Sequence, residues 1–169
     1  MGRHKHWLYR FVRRYVGDAD EAYDVVQDAF VAAMSNLHRY DPARPFEAWL
    51  RRIALNKCRD RGRREAVRRA FGLSKRGPEE TEAVADPAAG AEQTIASSAA
   101  MSALDKAIAA LPDALKAPLV LTVLEGLSQK EAGALLGISA KAVEVRVYRA
   151  KRQLAEMLDR EAMDDLIQP

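Results

Sequence analysis

Between Ala22 and Leu37 apolar side chains return at every third or fourth position: Ala22, Val25, Val26, Ala29, Phe30, Ala33, Met34 and Leu37. That period puts them on one face of an α-helix, and such a face must be buried against other helices. Nowhere does the chain alternate apolar and polar residues with period two, so the spacing predicts an all-α protein. With 49% hydrophobic and 30% charged residues it has the composition of a folded chain.

The same reading extends in both directions from this helix. Leu8, Phe11, Val12, Tyr15 and Val16 share a face that Gly17 terminates, and Asp18 with Glu21 has the spacing of a capping box. His38 to Arg44 is polar and reads as a loop. Pro45 suits the first helical position, where its missing N–H is no loss. Phe46, Trp49, Leu50, Ile53, Ala54 and Cys58 then form a third stripe, with Arg51, Arg52, Arg59 and Arg63 on the other side, in a helix expected to run to about Arg69. Trp49, lying on the stripe, reads as a core residue.

From Gly72 to Ala96 the composition turns to Pro, Gly, Ala and acidic residues, with Leu73, Val84 and Ile95 as the large aliphatic side chains. Such a stretch buries too little apolar surface to offset its ordering entropy. It is expected to be a flexible acidic linker over 72–97, joining a helical bundle in 1–71 to a second helical domain in 98–169. In that second domain a helix is expected from Ala100 to Leu111, with Met101, Leu104, Ile108 and Leu111 aligned and Pro112 ending it. Another follows over Leu115–Leu124, which Pro118 either kinks or opens, and Gly126 closes it.

Ser128-Gln129-Lys130-Glu131 is a capping box for a short helix ending at Gly137. Gly133 inside that helix costs about 1 kcal/mol relative to alanine. Ser139 caps a second helix whose inner face is Val143, Val147, Ala150 and Leu154. Two short helices around a glycine turn make a helix-turn-helix, whose second helix enters a major groove. Its outer side carries Lys141, Val145, Tyr148 and Arg152, flanked by Glu144, Arg146 and Arg149. Arg and Lys suit phosphate and guanine edges, and Glu suits a cytosine amine.

Charge is unevenly spread. Residues 1–72 hold 16 Lys and Arg against 9 Asp and Glu, residues 73–104 hold 2 against 5, and residues 105–169 hold 9 against 10. A basic first segment points to an anionic partner, nucleic acid first, or to a solvated basic face. Cys58 is the single cysteine, so no internal disulfide forms and no metal site is expected. His4 and His6 read as part of a disordered end. No apolar run reaches bilayer length and no signal peptide is recognisable, so a soluble, cytoplasmic protein without membrane insertion is expected.

Taken together, these blocks resemble the extracytoplasmic-function group of sigma factors. Asp24-Val25-Val26-Gln27-Asp28-Ala29-Phe30 is similar to the family's polymerase-binding helix, and Trp49 to Asn56 with Asp60 and Arg63 to its promoter-melting helix. Leu111-Pro112 and Glu125-Gly126-Leu127-Ser128 look like the lead-in to its minus-thirty-five domain, and Ala142-Val143, Arg146 and Arg149-Ala150 fall on its recognition helix. The resemblance implies that Asp24, Gln27, Asp28 and Val31 dock on the clamp helices of the largest subunit of core RNA polymerase. The flap of the second-largest subunit is a further contact it implies. It assigns His38, Arg39, Tyr40, Asp41, Asn56, Arg59 and Arg63 to the minus-ten element, where an unstacked base is captured. It assigns Ser139, Lys141, Glu144, Val145, Arg146, Tyr148, Arg149 and Arg152 to the minus-thirty-five element of promoter DNA. It implies an anti-sigma factor as a further partner, no cofactor and no catalytic residue. Tyr23 stands where the family often has Glu, Gly133 where Ala is usual, and Ala142 and Glu144 where Thr and Lys are usual. The first helix opens close to the start of the chain, as in a shortened N-terminus.

Two other readings compete. A stand-alone helix-turn-helix regulator accounts for residues 128–154 but leaves the Asp24–Phe30 face, the tryptophan helix and the acidic tether unused, and the chain has no dimerisation heptads. A helical nuclease needs clustered carboxylates; Asp18, Asp20, Glu21 and Asp24 are clustered, but Asp18 and Glu21 read better as helix-start charges.

Overall fold

The computed structural model describes residues 2–71, 101 and 103–167, and every regular element among them is helical. Helix α1 spans Gly2–Val16, α2 Ala19–Ser35 and α3 Phe46–Ala70, with a single 3-10 turn, Leu37–Arg39, between the last two. Helix α4 covers 103–110, α5 Asp113–Leu119, α6 Gln129–Leu136 and α7 Ala140–Ile167. The linker expected over 72–97 lies outside the described residues.

In the first half, α1, α2 and α3 pack pairwise into a three-helix bundle. Leu8, Phe11, Val12 and Tyr15 of α1 meet Ala22, Val25, Val26, Ala29 and Ala33 of α2 and Leu50, Ala54, Leu55 and Cys58 of α3, all buried. Gly17 adopts φ +83°, a left-handed turn, and Asp18 accepts a hydrogen bond from the Glu21 backbone N–H (2.8 Å) to start α2. The disordered end expected around His4 and His6 is instead part of α1. His4 accepts from the Trp7 indole N–H (3.2 Å) and its ring packs 5.1 Å from that of Phe46.

Two residues of the α2 stripe depart from expectation. Met34 and Leu37 are 63% and 56% exposed. Met34 lies a further 100° round the helix from Ala33, and Leu37 falls after the helix has ended at Ser35, so neither keeps the phase of the stripe. Met101 is likewise exposed, while Ile108 and Leu111 are buried as expected.

In the second half α5 and α6 pack on α7. Of the two expectations for Pro118, opening the helix fails: α5 starts at Asp113, holds Pro118 buried inside, and is distorted after it into a π turn over Val120–Leu124. The Thr122 hydroxyl donates to the Pro118 carbonyl (2.8 Å), and Glu125 N–H reaches the Val120 carbonyl (3.0 Å). The capping box of α6 is complete, and Gly137 closes the helix at φ +70°. Gly133 is held for a reason propensity does not register. A Cβ there would lie 2.7 Å from the carbonyl oxygen of Ile138.

Candidate polymerase and nucleic-acid interfaces

Helix α2 turns its second face outward. Asp24, Gln27, Asp28 and Val31 are all exposed, and Met34 and Leu37 prolong the row. The result is a polar head, Gln27 and Asp28, followed by an apolar tail of Val31, Met34 and Leu37. Asp24 at the head is tied to Arg61 of α3 at 3.6 Å. Exposed large apolar side chains grouped along one helix face are characteristic of a protein-binding surface.

Where α2 ends, the chain turns back onto α3 and leaves a cavity of about 390 Å³. Its walls are Ala32, Asn36, Arg39, Trp49, Ile53, Asn56, Lys57 and Asp60. Of the side chains expected to meet the minus-ten strand, Arg39 and Asn56 line it. His38 is exposed beside it. Tyr40 and Asp41 hold the loop together: the Tyr40 hydroxyl donates to the Arg44 carbonyl (2.7 Å), its ring lies 5.3 Å from both Phe46 and Trp49, and Asp41 accepts from the Ala43 N–H (3.0 Å). Arg59 and Arg63 are outside this wall. Arg63 pairs with Asp60 (2.6 Å) and Arg59 reaches the other half of the protein.

Trp49, expected as a core residue, is half-buried and gives the cavity its flat wall. Asp60, which the resemblance placed with the promoter-melting helix, lines the wall as well, whereas Lys57 and Asn36 were not singled out from the sequence. A signal for the α3 wall was present: Trp49, Ile53, Asn56 and Asp60 stand at i, i+4, i+7 and i+11, one continuous line that Lys57 adjoins, while nothing local points to Asn36. An indole plane, an amide that both donates and accepts, two cations and a carboxylate can together stack on a base, read its edge and hold its phosphate.

At the other end of the molecule, the Ser139 hydroxyl accepts from the Ala142 N–H (3.1 Å) and opens α7. Val143, Ala150 and Leu154 are buried. Lys141, Glu144, Val145, Tyr148, Arg149 and Arg152 are exposed and Arg146 is half-buried, so the expected reading face is open to solvent. Tyr148 is 70% exposed, an unusual position for so large a ring. The Lys141 ammonium donates to both carboxylate oxygens of Glu144 (2.9 and 3.0 Å), and Arg152 pairs with Glu156 (3.1 Å). Glu131, accepting from the Ser128 hydroxyl and N–H, is held below the usual carboxylate range.

The two halves also touch. Asp113 of α5 receives the Tyr15 hydroxyl of α1 and, at 2.9 Å, the Arg59 guanidinium of α3. Glu125, its side chain 11% exposed, stands 3.3 Å from Arg51 and 3.9 Å from Arg14. Arg14 and Arg52 further donate to the Leu124 and Ala134 carbonyls (both 3.4 Å). Arg51 is therefore not on a solvated side, as its place opposite the stripe suggested; its guanidinium lies 5.0 Å over the Trp7 ring. Burial and the bond to Asp113 raise the Tyr15 phenol, burial pushes the Cys58 thiol up to about 12, and burial lowers the Lys116 ammonium. Among the described residues no helix is long and apolar enough to cross a membrane.

Comparison with known proteins shows what the chain is similar to. The sigma-70 region 2 family matches residues 1–68, and the sigma-70 region 4 family matches residues 101–154. The RNA polymerase sigma factor CnrH of Cupriavidus metallidurans is 40% identical over 161 residues, which span 94% of this chain and 84% of CnrH. The ECF RNA polymerase sigma factor SigW of Bacillus subtilis is 30% identical, over 92% of this chain and 84% of its own. Among solved structures, CnrH in complex with the cytosolic domain of CnrY superposes with a TM-score of 0.63 at 36% identity, over 94% of this chain and 84% of that one. The sigma factor RpoE in complex with the anti-sigma factor NepR from Bartonella quintana shares the fold, with a TM-score of 0.71 at 21% identity over 92% of this chain and 91% of that one.

Proposed function

Since the chain belongs to the extracytoplasmic-function group of sigma-70 family RNA polymerase sigma factors, we propose how its surfaces divide the work of transcription initiation. The outer face of α2, with Gln27, Asp28 and Val31 at its centre and Met34 and Leu37 beyond, docks on core RNA polymerase. The cavity walled by Arg39, Trp49 and Asn56 takes an extruded base of the minus-ten element. The open face of α7 reads the minus-thirty-five element, with Arg149 and Tyr148 toward the groove. Residues 1–71 and 98–169 act as two modules on one DNA, joined through 72–97.

The observation that carries this reading is the outer face of α2. It is polar and then apolar, exposed, and built from the segment the sequence matches to polymerase binding. Melting on this reading draws on binding energy: capture of an unstacked base shifts the duplex toward its open form, and no bond is made or broken. The protein is accordingly a binding factor and not an enzyme, working in the cytoplasm where the polymerase is. The complexes of its relatives with CnrY and with the anti-sigma factor NepR support control by an anti-sigma factor here too.

Gln27→Ala combined with Asp28→Ala tests the assignment. Both side chains are exposed, so thermal unfolding should be unchanged while co-elution with core RNA polymerase is lost. Wild-type co-elution by the double variant would remove α2 from the docking surface.

A further inference from the structure

The last buried side chain of α3 is Cys58, yet the helix runs on to Ala70, and among the described side chains beyond Cys58 none is buried. About three further turns therefore project beyond the core of the bundle. They are basic, with Arg63, Arg64 and Arg68 exposed, and they hold two apolar side chains in the open, Val67 at 55% and Phe71 at 75% exposure. The Phe71 N–H bonds the Val67 carbonyl (3.1 Å), so the ring continues the helical path just past Ala70. A single exposed apolar residue is ordinary, but a valine and a phenylalanine one turn apart among arginines form a contact surface.

Position says what that surface meets. From Asp60 the residues Arg64, Val67 and Phe71 follow at steps of four, three and four, the rhythm that also runs from Trp49 through Ile53 and Asn56 to Asp60. At about 100° per residue Val67 returns to the direction of Trp49, and Phe71 lies about 40° from it. The cavity wall and the exposed ring thus share one face of one helix, with Phe71 about 22 Å beyond Asn56. Arg63 and Arg64 lie between them, and Arg68 lies beside the ring. Arg63 pairs with Asp60 (2.6 Å) and Arg68 with Glu65 (3.9 Å), each three residues away at positions where such pairs are weak.

We propose that Phe71, flanked by Val67 and by Arg63, Arg64 and Arg68, is a stacking platform for a base of the separated DNA strand, continuing along α3 the path that begins at the cavity. The inference rests on the reading of that cavity given above. A phenyl face accepts any base while the cations hold the phosphates on either side, so the platform strengthens single-strand binding without adding sequence preference. Duplex DNA keeps its bases stacked on one another and leaves the ring unused. Both apolar side chains are exposed while the halves touch, so no rearrangement is needed to reach them. A helix lying on a membrane would need a longer apolar face than these two side chains supply.

The test is anisotropy of the full-length protein with a fluorescein-labelled, mixed-sequence single strand of about twelve nucleotides, long enough at about 3.4 Å each to reach from cavity to ring. Phe71→Ala should weaken binding about tenfold, the share of one stacked base. Phe71→Leu, apolar but without a π face, should be as weak, and Phe71→Trp at least as tight as the unaltered protein. None should lower the thermal unfolding midpoint or change affinity for a duplex of the same length. Unaltered affinity in Phe71→Leu would overturn stacking in favour of plain apolar contact, and an equal loss on duplex would overturn preference for the separated strand. A lowered midpoint would overturn the proposal by showing the ring to be covered by the chain itself. So would an unaltered protein that binds no single strand, or Phe71-dependent binding to phosphatidylglycerol vesicles but not to the strand. Asn56→Ala is measured alongside. Loss with Phe71→Ala alone would remove base capture from the cavity and leave the platform standing, whereas loss with Asn56→Ala alone would do the reverse.

Discussion

An alanine at position 133 would regain about 1 kcal/mol of helix propensity, yet its Cβ would stand 2.7 Å from the Ile138 carbonyl oxygen. That oxygen belongs to the backbone of the turn and has no rotamer to retreat into. The Ile138 N–H also bonds the Gly133 carbonyl at 3.0 Å, which ties the turn to this helix position. Overpacking of this kind costs about 1–3 kcal/mol, so the clash outweighs the propensity gain. Gly133→Ala should therefore lower the thermal unfolding midpoint by a few degrees, followed by circular dichroism; a raised midpoint would mean that the turn relaxes freely. Residue by residue, the sequence states which types are present and what they cost locally. It does not state how near another backbone comes, and Gly133 read as a mere weakness for that reason.

At the scale of elements, much was legible because amphipathic periods and caps are local signals. The buried rows of α1, α2 and α7, the Asp18 and Ser128 caps and the Gly137 turn all follow from spacings of three or four residues. What escaped depended on where a helix stops or what lies across from it. Leu37 left the stripe because α2 ends at Ser35, Met34 because it lies 100° round the helix from Ala33, and Trp49 serves both core and cavity because α3 is flanked by packed helices on one side and by a loop on the other. On α7 the phase is unambiguous, which sharpens a prediction at this scale. Arg149→Ala should weaken binding of an upstream-element duplex, by about 1–3 kcal/mol if the guanidinium reads a guanine, and leave co-elution with core polymerase intact. Loss of both would indicate that α7 is needed for more than reading DNA.

Across the whole molecule, the contacts that join its halves were beyond reach of any periodicity. Arg59 and Asp113 are 54 residues apart, and Arg51 and Glu125 are 74 apart. Nothing in either local sequence names the other. A related consequence follows from how the chain disposes of its cations. Lys141 holds Glu144, Arg152 holds Glu156, Arg63 holds Asp60 and Arg44 holds Asp41, each with a carboxylate three or four residues away on the same chain. When such a side chain turns to a DNA phosphate it leaves a tethered partner behind, and that partner gains no freedom of diffusion. DNA binding by other basic proteins draws much of its strength, and its steep loss in salt, from counterions set free into solution. Here part of the counterion shell is covalently attached. Affinity for the upstream duplex should accordingly fall off with ionic strength more gently than the number of basic side chains on α7 implies. Glu144→Gln should steepen the plot of log affinity against log salt concentration by about 0.9, the share of one phosphate contact that then displaces a mobile ion. An unchanged slope would mean that Lys141 never leaves its carboxylate. By keeping some of its own counterions, the helix would lose its grip on DNA more gradually as the ionic strength around it rises.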